Sequence, residues 1–254
     1  MTRTASTTAS ASAAVLKTEA RLFAREPGSV FWVVAFPSLL LTVLGLVPSF
    51  REPSDELDGL RTIDLYVPVA VLLAMIMSGL QTMPPVLTGY RERGILRRLS
   101  TTPVRPISLL VAQLVVNGAV AVAAAVLPIA VGRLAYDVAL PKQPVGYVLA
   151  LLLAVAVGVA LGATISAVTR TQKAATALGT AVAFPTMFTA GLWIPVSAMP
   201  DALADAIGYA PFGAAAHALT RAADGSWPTA LHLGVLAAWT LVLTCAAARW
   251  FRWE

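Results

Sequence analysis

Six long apolar segments constrain what this chain can fold into more than any other feature. Each is about as long as the roughly 20 residues that a helix needs to cross the hydrocarbon core of a bilayer. None of the six contains Asp, Glu, Lys or Arg, so every charged residue falls in a connection or a tail. The sequence therefore predicts an all-α polytopic membrane protein. The predicted spans are 30–50, 65–90, 107–132, 147–169, 174–199 and 228–248.

The composition agrees with a membrane protein and disfavours other classes. Only 12% of the 254 residues are charged, whereas a soluble domain carries about 25%. The net charge of +5 does not indicate nucleic-acid binding, because the basic residues lie in short connections between apolar segments. A single cysteine, Cys245, excludes an internal disulfide and a cysteine cluster for metal. His217 and His232 have no flanking carboxylate pair, so no metal site is predicted.

The distribution of Lys and Arg predicts the orientation. Thirteen of them lie on the side of the two termini and five on the other side. Cytoplasmic loops carry the excess of Lys and Arg. We therefore expect both termini to be cytoplasmic, in a multi-pass protein of a bacterial cytoplasmic membrane.

The N-terminal region is predicted to form a disordered tail over 1–12 and an interfacial helix over 13–26. No apolar core long enough for a cleaved signal peptide occurs there. Basic residues recur every four positions along the helix, which places their charges near anionic lipid headgroups. They are Lys17, Arg21 and Arg25. Glu19 falls in the apolar sector of this helix, where it either contacts a protein partner or extends to water.

The connection at 200–227 has helical composition but is too short for two further spans. Gly208 and Pro211 interrupt it. Short apolar runs of this kind are typical of re-entrant or interfacial segments. The sequence predicts two short helices that form an outer re-entrant hairpin before the last span.

Catalytic motifs are absent from the sequence. It contains no phosphate-binding loop of the G-x-x-x-x-G-K-[ST] type, no H-E-x-x-H and no G-x-S-x-G. The predicted spans also lack the charged residues that mark ion pathways in ion-coupled carriers. We therefore expect neither an enzyme nor an ion-coupled carrier, but a chain whose energy is supplied from elsewhere.

The stretch 91–106 between the second and third predicted spans is the most basic connection. It has five arginines and one acidic residue, Glu92. On a helix, Arg93 and Arg97 share one face, and apolar residues occupy the opposite face. Such a helix can lie on lipid or insert into a groove of a soluble protein. The alternative is that the arginines serve only as an orientation signal.

The pattern E-R-G-I-L-R-R-L-S-T-T-P at 92–103, followed by L-L-V-A-Q-L, resembles the signature of type-2 ABC exporter permeases. These are membrane subunits such as the daunorubicin-resistance permease and related antibiotic exporters. Glu92, Gly94, Thr102 and Pro103 match the pattern, whereas Ile95 replaces a more common threonine. The stretch G-L-W-I-P-V-S-A-M-P and the Y-A-P-F that follows it are similar to the outer region of this family.

The resemblance implies a single permease domain over 13–254 and a complex of two permease copies with two separate ATP-binding subunits. ATP and Mg would be held by those subunits, with no cofactor on this chain. The segment 91–102 would be the coupling helix that docks on the ATPase, supported from the side by 13–26. The implied coupling residues are Glu92, Arg93, Gly94, Arg97, Arg98, Thr102 and Pro103.

The resemblance also implies a substrate route at the dimer interface, between the second and fifth spans. Met and aromatic side chains suit varied amphipathic substrates. The candidates are Ser78, Gln81, Thr180, Phe184, Met187 and Phe188. Packing between helices is the alternative for each of them, and also for Asn117 in the third span.

The function that these observations favour is the permease of an ATP-driven exporter for a hydrophobic or amphipathic, drug-like or antibiotic-like substrate. A lipid or polysaccharide exporter of the same family is an alternative. A non-transport scaffold or sensor subunit and a membrane-embedded enzyme are the other two. The sequence leaves open whether the second permease is an identical copy or a related chain.

Overall fold

The computed structural model of the protein describes residues 2–54, 57, 59–95, 98 and 106–250. These residues form no β-strand and are mostly helical, which confirms the all-α fold class. The helices are α1 (Thr2–Ala24), α2 (Pro27–Gly45), α3 (Thr62–Glu92), α4 (Pro106–Tyr136), α5 (Pro144–Val168), α6 (Gln172–Thr189), α7 (Asp201–Ile207), α8 (Pro211–Asp224) and α9 (Ala230–Trp250).

Five helices in the described part of the chain are long and apolar enough to cross a membrane. They are α2, α3, α4, α5 and α9, and they correspond to five of the predicted spans. Their ends lie within a few residues of the predicted ends. The prediction of a multi-pass membrane protein is therefore confirmed.

The predicted fifth span, 174–199, differs from the observed helix. α6 has 18 residues and ends at Thr189. The chain turns at Gly191, whose φ of 86° lies in the left-handed region that favours glycine. A short 3₁₀ turn at Val196–Ala198 follows. The region after Thr189 therefore does not continue the span, and a total of six crossings stays a prediction.

The N-terminal helix also differs from the prediction. α1 begins at Thr2, where a disordered tail over 1–12 was expected, and it ends at Ala24. Pro27 starts the next helix, and Glu26 before it has an extended backbone. Such a conformation is usual for a residue that precedes proline.

α3 is the central helix of the bundle. Of its most apolar 18-residue window 83% is buried, compared with 17% for α9. Small residues let α5 approach it closely, as the G-x-x-x-G of Gly158 and Gly162 predicts for packing within the subunit. A Cβ atom added at Gly162 would overlap the carbonyl group of Gly79. This contact holds the backbones of α3 and α5 together.

A π-helical segment, Met77–Thr82, interrupts α3 just before Pro84 and Pro85. Proline has no N–H to donate and its ring clashes with the carbonyl four residues earlier. The wider π turn accommodates both effects without ending the helix. Such segments are frequent at functional sites. Ser78 and Gln81 lie in this one.

The connection before α9 contains the two predicted short helices, α7 and α8, separated where Gly208 and Pro211 interrupt the sequence. α8 is packed inside the bundle, and its Phe212 and Leu219 are fully buried. His217 joins the two helices, because its Nε2 lies 3.0 Å from the carbonyl oxygen of Ala204.

Candidate coupling site

Three consecutive residues at the end of α3 bond to three different helices. Tyr90 bonds to α1, Arg91 to the end of α5, and Glu92 to the start of α6. We call residues 90–94 the α3 junction. It begins the basic stretch that the sequence singles out, so the geometry of each residue in it matters for a coupling role.

Arg91 connects α3 to α5. Its Nη2 donates to the carbonyl oxygens of Ser166, at 2.6 Å, and of Thr169. The last carbonyl groups of a helix lack partners within that helix, and a cation there also complements the helix dipole. Arg91 therefore stabilises the end of α5. No specific role beyond its charge was predicted for Arg91.

Glu92 connects α3 to α6. Its Oε2 accepts a hydrogen bond of 2.9 Å from the backbone N–H of Gln172. A carboxylate at a helix N-terminus satisfies an N–H that has no partner within the helix and complements the dipole. Glu92 was predicted to contact an ATPase. In this structure it is exposed and bonded within the subunit.

Arg93 and Gly94 end α3. The Nε of Arg93 donates to the carbonyl oxygen of Gly89 at 3.1 Å, and its side chain is exposed. Gly94 has a φ of 67°, and its N–H bonds to the carbonyl of Arg91 at 2.9 Å. A left-handed glycine is a common way to end a helix. The glycine of the E-R-G motif thus has a backbone role.

A backbone hydrogen bond with helical spacing follows Gly94. The N–H of Arg98 bonds to the carbonyl of Gly94 at 3.1 Å, and the side chain of Arg98 is exposed. Arg97, Thr102 and Pro103 lie outside the described residues. The predicted coupling helix over 91–102 is therefore described only in its first part, and its docking stays a prediction.

Glu19 joins the interfacial helix to the bundle. Its Oε2 accepts hydrogen bonds from Tyr90 Oη, at 2.9 Å, and from Gln113 Nε2. Only 6% of Glu19 is exposed, so neither an extension to water nor contact with a separate protein describes it. Burial raises the pKa of the Glu19 carboxyl group, and the two hydrogen bonds oppose that shift.

The polar network extends from Glu19 into the bundle. Asn117 Nδ2 donates to Gln113 Oε1 at 3.0 Å, and Ser78 Oγ donates to the carbonyl of Asn117 at 3.0 Å. Tyr90 and Gln113 were missed as site residues. The signal for Gln113 is an amide inside an apolar segment, which must find a partner because lipid offers none.

The structure brings two of the predicted substrate-route residues together. Thr180 Oγ1 donates to Gln81 Oε1 at 3.3 Å, across the contact of α6 with α3. Ser78 lies apart from them, since it is fully buried and bonded to α4. In a single subunit its position is that of a packing residue, which is the alternative that the sequence leaves open.

The remaining candidates lie on α6 and differ in exposure. Phe184 is 58% exposed, whereas Met187 and Phe188 are half-buried. Met187 packs against the core of the subunit. Leu178, Ala181 and Phe184 form an exposed apolar strip on α6, which we call the α6 face.

Comparison with known proteins identifies a family over most of the chain. The family model described as ABC-2 family transporter protein matches residues 49–249. The match includes the α3 junction and the α6 face, and it begins after α1 and α2. A search of curated proteins finds no match.

Proposed function

The chain belongs to the ABC-2 family of transporter proteins and is thus a membrane subunit of an ABC transporter, and we propose that it is the permease of an ATP-driven exporter. Its substrate is hydrophobic or amphipathic, of the drug or antibiotic type. The permease pairs with a second copy of itself, and each copy binds a separate ATP-binding subunit on the cytoplasmic side.

The observation that carries this proposal is the α3 junction. Its residues Tyr90, Arg91 and Glu92 bond to α1, α5 and α6 respectively. A displacement of the segment that follows would therefore reach four helices, α3 included, without passing through a flexible loop. This is the arrangement that a permease needs if ATP hydrolysis on a partner is to move its helices.

The exposed cations next to the junction support docking of a partner. Arg93 and Arg98 project from the segment immediately after α3 and are both exposed. In the proposed complex they, with Arg97, bind acidic groups along a groove of the ATP-binding subunit. ATP and its Mg are bound by that subunit. The excess of Lys and Arg on this side supports a cytoplasmic location.

The α6 face supports the proposed dimer and substrate route. Its exposed apolar residues adjoin the pair of Gln81 and Thr180 at the contact with α3. A second copy that packs near this face would enclose an apolar passage with a polar group in its wall. Such a passage suits substrates with a large apolar part and a few hydrogen-bonding groups.

A double charge reversal tests the proposal. The permease is purified with its ATP-binding subunit, and ATP hydrolysis and substrate export are measured in vesicles. We expect Arg93→Glu with Arg97→Glu to abolish export and substrate-stimulated hydrolysis, while the permease still folds. The matched control is Arg51→Glu with Arg133→Glu, which reverses two charges at the opposite end of the bundle.

Normal export by the Arg93/Arg97 variant would refute the coupling role. Assays of the unmodified complex with a panel of compounds distinguish an exporter from a non-transport scaffold or sensor. Such a subunit would bind the ATPase, but no compound of the panel would be exported or would stimulate ATP hydrolysis.

A further inference from the structure

A cavity of about 480 Å³ lies between the C-terminal part of α1, the end of α3 and the first part of α4. Its lining includes the apolar residues Leu22, Phe23 and Val86. It also includes the buried polar residues Glu19, Gln113 and Asn117. The cavity is separate from the proposed substrate route, because neither Gln81 nor any residue of the α6 face lines it.

The Glu19 carboxylate has an oxygen without a donor. Tyr90 and Gln113 both donate to Oε2, and no described residue donates to Oε1. Neither ion pair found among the described residues includes Glu19. A carboxylate that is 94% buried would normally be paired with a cation or a further donor. Oε1 is not fully enclosed by protein, so a group that enters the cavity can donate to it.

Asn117 supplies a second acceptor without a donor. Its Nδ2 donates to Gln113, but its Oδ1 is buried and has no hydrogen-bond partner in the described part of the chain. The residue is only 2% exposed. A buried acceptor without a partner costs about 1–3 kcal/mol. Because Asn117 Oδ1 is enclosed by protein, the acceptor that a ligand in the cavity can reach is Glu19 Oε1.

The net charge of the cavity lining does not oppose the binding of a cation. Arg25, Glu26 and Arg93 also line it, and all three are exposed. With Glu19 ionised, the two arginines and two glutamates of the lining balance. The acceptors lie on buried side chains, whereas the arginines are at the solvent side. A ligand with a cationic head and an apolar body matches the polar and apolar residues of the lining.

We propose that this cavity binds a protonated primary amine that carries an apolar group. The ammonium donates to Glu19 Oε1, and the apolar group contacts Leu22, Phe23 and Val86. Two sources offer this chemistry. One is a soluble amphipathic amine. The other is the ethanolamine headgroup of a phospholipid, whose phosphate would then lie near Arg25 and Arg93.

The test is calorimetric titration of the purified full-length chain in detergent. The probe is 4-phenylbutylammonium, and the matched uncharged probe is 4-phenylbutanol. We expect the amine to bind at least about tenfold more tightly than the alcohol, since a hydrogen bond to a charged group is worth about 1.5–3 kcal/mol. Glu19→Gln should lose at least about tenfold in amine affinity.

The matched control is Glu52→Gln, the same change at an exposed glutamate of a distant loop, which should leave the affinity unchanged. Asn117→Ala should also weaken amine binding, because it removes the hydrogen bond to Gln113 Oε1 that helps to position Gln113 against Glu19. This variant replaces Glu19→Gln as the test if Glu19→Gln fails to fold. Equal affinity for the amine and the alcohol would overturn the proposal. So would wild-type affinity in both variants, or no amine binding at all.

A second set of titrations, with added phospholipid, identifies the source of the amine. The titration is repeated with added phosphatidylethanolamine, which has N–H donors, and with phosphatidylcholine, which has none. Competition by the first lipid alone identifies the headgroup as an occupant. Amine binding that neither lipid reduces identifies a soluble amine. Equal competition by both lipids would show apolar occupancy only and would contradict the proposal.

Discussion

The two ends of α3 are anchored in different ways. At the junction end, three consecutive residues bond to three other helices. At the opposite end, Arg61 pairs with Asp64 of α3 itself at 2.7 Å and donates to the carbonyl of Tyr136 in α4 at 3.0 Å. The first end bonds to three other helices, whereas the second bonds to α4 and, through Tyr66 Oη, to the carbonyl of Leu192 in the connection after α6. In the proposed complex, motion of a docked partner would therefore enter α3 at the junction.

The largest effect is expected for Arg91→Ala compared with Arg61→Ala. Both changes remove an arginine that bonds to backbone carbonyls at the end of a helix. Loss of the Arg91 bonds should cost about 1.5–3 kcal/mol and detach the end of α5 from the junction. We expect Arg91→Ala to lower the apparent Tm and to abolish substrate-stimulated ATP hydrolysis.

Arg61→Ala should also lower the apparent Tm, because it removes an ion pair and a backbone bond. It should leave the stimulation of ATP hydrolysis intact in the fraction that folds. Equal losses of stimulation in the two variants would remove the distinction between the two ends.

A smaller effect is expected when either of the two glycines that flank α3 is replaced by alanine. Gly94 at the junction and Gly59 before the other end have φ values of 67° and 80°, and neither has an atom within 4 Å of an added Cβ. Alanine at either position should cost about 1–2 kcal/mol from backbone strain alone. Substrate-stimulated ATP hydrolysis should fall only for Gly94→Ala, since only that change redirects the chain after the junction.

Thermal unfolding and stimulated ATP hydrolysis measure the two effects separately. Gly28→Ala is the control, because an added Cβ there has open space and no positive φ is involved. It should change neither quantity. A loss of stimulation in Gly59→Ala as large as in Gly94→Ala would show that strain anywhere near α3 is sufficient, which contradicts a special role for the junction.

The spans and the hairpin could be predicted because their causes are local. A membrane crossing needs about 20 apolar residues, so α3, α4, α5 and α9 are evident in the sequence. Gly208 and Pro211 likewise separate α7 from α8 through their own backbone preferences. The end of α6 was missed because the left-handed Gly191 outweighs the apolar residues that follow it.

The polar network could not be predicted because its contacts join distant parts of the chain. Glu19 and Gln113 are 94 positions apart, and nothing local to either residue identifies the other. Arg91 is similar, since its partners Ser166 and Thr169 contribute backbone carbonyls, which any residue type carries. The motif at 92–103 singles out a stretch that overlaps the α3 junction, but the bonds of that junction depend on tertiary structure.

The central claim is that an ATP-binding subunit docks at the segment after α3, and cross-linking tests this most directly. Cys245 is first changed to alanine, and a single cysteine is then introduced by Arg98→Cys or, as control, by Arg51→Cys. Both positions are exposed, and they lie beyond opposite ends of the bundle. A thiol-to-amine cross-linker of short span is applied to the purified complex with the ATP-binding subunit. The account predicts a cross-link to that subunit from position 98 and none from position 51. A cross-link from position 51, or none from position 98, would contradict it.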